Sequence, residues 1–167
     1  MNTLKNGNQS LYLMILLVKY KIILILYMAS NKKNTKNKIP KKYTAKLSRK
    51  DRMKQQKNLI KSRKMYKKGV YIDRPQLKSY PKKRSEWIVK FEKRYNRKIT
   101  DKNFIDKNIL SIKGQNQILS KGRGAYYSSG SRPNQSSSSW AYARLASVIM
   151  GGKARKVDNK IWQSEKR

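Results

Sequence analysis

The pattern of apolar and polar residues is helical through most of the chain. A first helix is predicted from the capping pair Ser48 and Asp51 to about Tyr66, because this stretch lacks proline and glycine and consists mainly of helix formers. Gly69 follows as the expected C-terminal glycine. Apolar positions in this helix are sparse, so cationic residues must surround most of its circumference.

Three further helices are predicted from the same signals. Ser85 caps a helix with large apolar side chains at helical spacing, and Thr100 caps another that ends at Gly114. A last helix begins at Ser138 or Ser139, where a serine run leads into small and large apolar residues suited to tight packing. These segments predict a mainly α fold.

The predicted architecture is one small helical domain over residues 47–152. Residues 28–46 are expected to be a disordered basic arm and residues 153–167 a disordered basic tail, because both are polar and lack a period. The alternative is an α+β fold with a short hairpin near 69–73. The tail is expected to dock only through Val157, Ile161 and Trp162.

The first 27 residues contain one long apolar run, LYLMILLVKYKIILILY at 11–27. Lys19 and Lys21 interrupt it: each central lysine costs roughly 2.5–3.5 kcal/mol on insertion, while each Leu or Ile returns only about 0.3–0.6 kcal/mol. Three interpretations stay open, namely a membrane anchor, a secretory signal, or a leader missing from a mature protein that starts near Met28. A membrane location is expected only if this run is retained.

Charge changes this picture most. The 167 residues include 43 Lys+Arg and 8 Asp+Glu, which gives a net charge of +35. A charge this large opposes compaction unless a polyanion neutralises it; nucleic acid is the commonest such partner and an anionic membrane surface the second. Cysteine and histidine are absent, which excludes disulfides, Cys/His zinc sites and nucleophiles activated by histidine. We predict no cofactor, no metal and no catalytic residue.

The predicted nucleic-acid interface is the first helix together with the basic residues that follow Pro81. Ordinary solvated helix faces mix both charge signs, so a helix with one acid favours phosphate binding over simple solvation. Tyr66, Tyr71 and Tyr80 lie among these cations, in a pattern typical either of base stacking or of a small core. The predicted contact residues are Arg49, Lys50, Arg52, Lys54, Lys57, Lys61, Arg63, Lys64, Lys67, Lys68, Lys82, Lys83 and Arg84.

A Gly/Ser loop over 122–139 is the most distinctive predicted segment. Such a loop before a helix N-terminus offers free N–H groups to an anion. No Walker pattern is present, and an ordered surface loop packed on the core is an equal interpretation. The candidate anion-binding residues are Gly122, Arg123, Gly124, Tyr126, Tyr127, Ser131, Arg132, Ser138 and Arg144.

Two stretches of the chain resemble a known family. They are LSRKDRMKQQKNLIKSRKMYKKGVYIDRPQLKSY at 47–80 and GRGAYYSSGSRPNQSSSSWAYARLASVIMGGKARKVD at 122–158. Both resemble an uncharacterised family of small basic proteins encoded by large double-stranded DNA viruses of algae and amoebae. The likeness implies a viral protein, located in the virion or in the cytoplasm or nucleus of an infected host cell. It implies no catalytic residue.

Three functions therefore fit the sequence. The first is a non-catalytic, largely sequence-independent nucleic-acid-binding protein, with DNA or RNA and other virion proteins as partners. The second is a membrane-anchored or capsid-lining structural protein that uses residues 11–27. The third is an enzyme that binds a phosphorylated substrate at the Gly/Ser loop. Metal-dependent phosphoryl chemistry needs clustered carboxylates, whereas the acids of this chain are dispersed along the sequence.

Overall fold

The computed structural model describes residues 13–28 and 39–167. Residues 13–28 form helix α1. Within the described residues, no helix combines the length and apolar character needed to cross a membrane. Most of the predicted arm lies outside the described residues, but its last part does not: Tyr43 is buried and packs edge-on against Trp140, with ring centroids 6.0 Å apart. The helical domain therefore begins before residue 47.

Residues 39–167 form a helical domain, which confirms the mainly α prediction. Among the residues described there is no strand, and Val70–Ile72 is extended without a pairing partner, so the alternative with a hairpin is wrong. Seven α-helices follow a short 3-10 turn at Lys41–Tyr43: α2 (Arg49–Tyr66), α3 (Glu86–Tyr95), α4 (Lys102–Asn108), α5 (Ile112–Ser129), α6 (Ser137–Ile149), α7 (Lys153–Val157) and α8 (Asn159–Glu165).

The ends of α2 follow the predicted signals. The Ser48 side chain accepts a hydrogen bond from the Asp51 backbone N–H at 3.3 Å, so it caps the helix as expected. At the other end Gly69 has a φ of +77°, a left-handed conformation that glycine adopts without strain. Both boundaries therefore show the local capping chemistry that the sequence predicts.

Two other starts differ by one to three residues from the predicted ones. Asp101, rather than Thr100, caps α4 by accepting a hydrogen bond from the Phe104 backbone N–H. Helix α6 starts after Ser136, whose side chain and that of Ser139 bond reciprocally to each other's backbone N–H groups. Ser139 thus takes part in the cap, but it is the third residue of α6.

Helix α5 overturns the predicted Gly/Ser loop. Gly114, expected to end a helix, and Gly122 and Gly124, expected in the loop, all lie inside α5. A Cβ atom at Gly122 would lie 2.6 Å from the Ala141 Cα in α6, and one at Gly114 would lie 2.6 Å from the Glu165 Cβ in α8. These two glycines permit close helix packing, which outweighs their poor helix propensity. The non-helical segment is only 130–136.

The prediction of a disordered tail is also wrong, because α7 and α8 pack on the domain. Arg155 donates hydrogen bonds to the backbone carbonyls of Val148 and Ile149 at the end of α6, at 2.7 and 2.6 Å. Its guanidinium also lies 4.1 Å from the centre of the Trp162 ring. Arg155 thus satisfies helix carbonyls instead of remaining in solvent. Val157, expected to dock, is 70 % exposed.

The core lies where α5 and α6 pack against each other. Helices α3 and α7 contact α6, whereas α2, α4 and α8 contact α5. The fully buried side chains of this core include Phe91, Ile105, Leu110, Ile118 and Leu145. Helix α2 contributes only Leu59 to the buried apolar residues, so most of its surface faces solvent.

Candidate nucleic-acid interface

Helix α2 rests on the domain through a narrow and mostly polar face. Its buried residues are Asp51, Gln55, Leu59 and Ser62, one for each helical turn. The Asp51 carboxylate accepts hydrogen bonds from the Ser79 backbone N–H at 2.9 Å and hydroxyl at 2.7 Å, and these bonds lower the pKa of Asp51. Gln55 donates to the Ser131 carbonyl at 3.3 Å. Directional hydrogen bonds therefore fix which face of α2 points outward.

Away from this face, α2 carries a row of lysines that we term the lysine stripe. Its members follow one another at intervals of four and three residues, so they are neighbours along one side of the helix. They are Lys50, Lys54, Lys57, Lys61, Lys64 and Lys68, all of them exposed. Between Lys50 and Lys64 the stripe extends for ~21 Å along the helix axis.

No carboxylate of the domain forms an ion pair with the lysine stripe. All eight acidic residues of the chain lie in the described part, and four of them form ion pairs there. The basic partners in those ion pairs are Arg84, Lys113, Lys121, Arg144 and Arg167, none of which belongs to α2. Within residues 13–28 and 39–167, no group of three or more acidic residues is close enough to hold a metal ion.

The other predicted contact residues divide into free and engaged cations. Arg63 is half-buried and donates to the Ser129 carbonyl at 2.6 Å. Arg84 forms an ion pair with Glu92 at 2.6 Å but remains largely exposed. Arg52 is exposed and donates to the Leu47 carbonyl at 3.5 Å. The remaining ones, all exposed, are Arg49, Lys67, Lys82 and Lys83.

The segment 82–84 lines a second cationic feature, which we term the cationic cavity. It has a volume of about 670 Å³ and lies beside the start of α6. Its basic lining residues are Arg74, Lys82, Lys83 and Arg84, and its polar ones include Asp73, Asn134, Gln135, Ser136 and Ser139. The structure thus brings the predicted cations after Pro81 close to the serines that cap α6.

Three aromatic residues gather at the C-terminal end of α2 and form what we term the tyrosine cluster: Tyr66, Tyr71 and Tyr127. The Tyr66 and Tyr127 rings are nearly parallel, with centroids 6.4 Å apart, and the Tyr71 ring is nearly perpendicular to both, with centroid distances of 5.8 and 5.1 Å. Tyr71 is 64 % exposed. Tyr80 is half-buried elsewhere, where its carbonyl accepts a hydrogen bond from Asn134.

Arg74 has a structural role that was not predicted from the sequence. Its guanidinium lies 3.6 Å from the centre of the Tyr126 ring and donates to the Tyr126 carbonyl, the Ser62 hydroxyl and the Ser131 hydroxyl. Burial lowers the pKa of Arg74, while neighbouring Tyr126 acts in the opposite direction. This one side chain therefore ties α2, the end of α5 and the segment 130–136 together. No local pattern indicates it, because Arg74 and Tyr126 are 52 residues apart.

The sequence profile of DUF5824, described as a family of unknown function, matches residues 40–164. The chain belongs to the DUF5824 family. The match includes the lysine stripe, the cationic cavity and the tyrosine cluster, so all three are features of the DUF5824 domain. No curated protein and no solved structure matches the chain.

Within the DUF5824 domain, the nine candidate anion-loop residues do not converge on one site. Gly122 packs against Ala141, Tyr126 lies beneath Arg74, and the Ser131 hydroxyl accepts from Arg74. Gly124 lies inside α5, where a Cβ atom added to it would have only the Tyr66 hydroxyl nearby, at 3.5 Å. The predicted members that remain exposed are Arg123, Arg132 and Ser138.

Arg144, the last of those candidates, is engaged by a carboxylate. The fully buried Asp158 accepts from its Nε at 2.6 Å and from its Nη2 at 2.9 Å, while Lys121 lies 3.2 Å away on the same carboxylate. Burial alone would raise the pKa of Asp158, but the hydrogen bonds and charges of Arg144 and Lys121 outweigh it and lower that pKa. Arg144, Lys121 and Asp158 thus form a salt-bridge network within the DUF5824 domain.

The segment 130–136 has a structural role of its own. Asn134 accepts from the Leu77 backbone N–H at 2.8 Å and donates to the Leu77 carbonyl at 3.0 Å. Its φ of +55° is a conformation that asparagine tolerates better than most residues. The SGSRPNQ residues of the DUF5824 domain thus hold the extended segment that connects α2 to α3.

Proposed function

We propose that this DUF5824 protein is a non-catalytic nucleic-acid-binding protein that recognises the phosphate backbone largely independently of base sequence. One observation carries the proposal: the lysine stripe is exposed along the whole of α2 and none of its members forms an ion pair with a carboxylate within the described residues. The likeness to proteins of large DNA viruses supports a role in the virion or in an infected cell.

The chemistry of the stripe suits a phosphate backbone. Like charges at three- and four-residue spacing repel one another, and a row of phosphates relieves that repulsion while releasing its own counterions. Lysine ammonium groups are compact point charges on flexible stems, so they neutralise phosphates without the planar geometry that reads base edges. Affinity with little sequence preference is the expected result.

A salt titration with matched variants tests the proposal. The variant Lys57→Gln, Lys61→Gln, Lys64→Gln removes three charges from the stripe. The control Lys93→Gln, Lys107→Gln, Lys160→Gln removes three exposed lysines from α3, α4 and α8, so both variants have the same net charge. Binding to duplex DNA, to single-stranded RNA and to anionic lipid vesicles is measured by fluorescence anisotropy or sedimentation at several salt concentrations.

For duplex DNA we expect a steep fall of affinity with salt, with a slope of about −0.9 for each phosphate contacted, and for single-stranded RNA a slope of about −0.7. The stripe variant should reduce the magnitude of the slope by about 2.7 for the duplex and about 2.1 for the single strand, whereas the control should leave both nearly unchanged. Binding that ignores salt, or equal effects of the two triple variants, would contradict the proposal. Preference for vesicles over both nucleic acids would favour a membrane-lining role instead.

A further inference from the structure

Tyr71 of the tyrosine cluster leaves most of its surface in solvent. It lies five residues beyond the end of α2, its ring is nearly perpendicular to those of Tyr66 and Tyr127, and 64 % of the residue is exposed. Aromatic rings bury readily when core space is available, and this domain buries Tyr43 and Tyr126 almost completely. The exposed Tyr71 therefore offers an aromatic surface against which another flat ring can pack.

Cations flank the cluster on both of the helices that build it. On α2 and its C-terminal turn, the exposed Lys67 and Lys68 follow Tyr66 immediately, and Lys68 is the last member of the lysine stripe. On α5, the exposed Arg123 precedes Tyr127 by four residues and so lies on the same side of the helix.

Asp73 connects the tyrosine cluster to the cationic cavity. Its carboxylate accepts a hydrogen bond from the Tyr127 hydroxyl at 3.3 Å, and the same residue lines the cavity. Lys68, the end of the lysine stripe, comes two residues after Tyr66, and Asp73 lines the cationic cavity together with Lys82 and Lys83. A set of aromatic rings connected to two groups of cations suits the alternation of bases and phosphates in a polynucleotide.

We propose that the tyrosine cluster stacks unpaired bases while the adjoining cations hold the flanking phosphates, so that the protein prefers single-stranded nucleic acid to duplex. This inference rests on the proposed function and adds the form of the ligand. Bases of a duplex are stacked on one another and hide their faces, whereas a single strand presents them to aromatic side chains. Ring stacking is available to DNA and RNA alike.

The test compares oligonucleotides of equal length as single-stranded DNA, single-stranded RNA and duplex DNA, with 2-aminopurine at a central position to report stacking. The full chain is used in four forms: wild type, Tyr71→Leu, Tyr71→Phe and the control Tyr27→Leu. Tyr27 is 66 % exposed, close to the exposure of Tyr71, but lies in α1 and outside the cluster. Circular dichroism verifies that each variant keeps its helix content.

We expect wild type to quench 2-aminopurine in the single strands and to bind them more tightly than the duplex. Tyr71→Leu should weaken single-strand binding about tenfold and reduce the quenching, with little change in duplex affinity or in the salt dependence. Tyr71→Phe keeps the ring and should behave like wild type, as should Tyr27→Leu.

The outcomes separate the two proposals. Salt-dependent binding that does not distinguish single strands from duplex and is unaffected by Tyr71→Leu would overturn the stacking inference and leave the proposed function standing. Equal weakening of single-strand and duplex binding by Tyr71→Leu would also overturn it. If wild type binds none of the three nucleic acids, the proposed function itself fails.

Discussion

Helix α2 and the region α5–α8 use basic residues in opposite ways. In α5–α8, Arg144 and Lys121 surround the buried Asp158, and Arg155 donates to the last carbonyls of α6. In α2 the lysine stripe has no such partner within the described residues. The net charge of +35 is a property of the whole chain and does not distinguish the two regions. The difference teaches that the partner of each cation, rather than the number of cations, separates structural residues from candidate binding residues.

The strongest way to break this comparison is to remove the central carboxylate of α5–α8. Asp158→Ala should lower the free energy of unfolding by about 3 kcal/mol, because Arg144 and Lys121 would then repel each other beside an apolar core. Chemical denaturation measures the change. Asp73→Asn, which alters an exposed carboxylate, should change stability by less than about 0.5 kcal/mol. Equal losses of stability in the two variants would mean that the buried Asp158 carboxylate stabilises the fold no more than an exposed carboxylate does.

The same carboxylate predicts a dependence on pH. The pKa of Asp158 is lower in the folded protein than its ordinary value of 3.8, so its contribution is complete above that value. Stability should fall as pH decreases through the lowered folded pKa, because protonation releases Arg144 and Lys121. Thermal unfolding between neutral pH and strong acid should show a shallower acid loss in Asp158→Ala than in wild type. Parallel curves would contradict this assignment.

Two glycines of α5 sharpen the comparison within a single helix. Gly122→Ala should destabilise the protein by about 2 kcal/mol, because the added Cβ would lie 2.6 Å from the Ala141 Cα on the packed side. Gly124→Ala meets only the Tyr66 hydroxyl, at 3.5 Å, and should stabilise the protein by about 0.5–1 kcal/mol through helix propensity. Melting temperatures shifted in opposite directions verify the prediction, and shifts of the same sign refute it.

A further prediction concerns the stability of α2 itself. Lys57→Gln, Lys61→Gln, Lys64→Gln should stabilise the free protein by about 1 kcal/mol at low salt, because several like-charge pairs of about 0.2–0.5 kcal/mol each disappear. The gain should vanish at high salt, where such pairs are screened. A loss of stability at low salt would show that these lysines, like Lys113 and Lys121 in α5, have structural partners.

Local chemistry allowed much of α2 to be predicted. The Ser48 cap, the C-terminal Gly69 and the basic surface between them depend on neighbours within a few residues, and the structure confirms the two ends. The orientation of the helix was not predictable, because it depends on hydrogen bonds from Gln55 to Ser131 and from Ser79 to Asp51 across long sequence separations.

The region α5–α8 was predicted less well for a related reason. Glycine is a local signal for a helix end or a loop, but Gly122 faces another helix so closely that no side chain fits. Similarly, the basic residues of the tail suggested disorder, whereas Arg155 and Trp162 stack on each other and hold α7 and α8 together. Tertiary contact outweighs local preference in both cases.

The make-up of the lysine stripe has one more consequence, for motion. Every member is a flexible ammonium, and the stripe itself holds no arginine fork to lock onto a single register. The successive phosphates of a polynucleotide are equivalent for an ammonium group. When the protein shifts by one nucleotide, each lysine therefore exchanges one phosphate contact for an identical one. A protein bound through this stripe would diffuse along the nucleic acid and occupy all positions evenly, instead of remaining at particular base sequences.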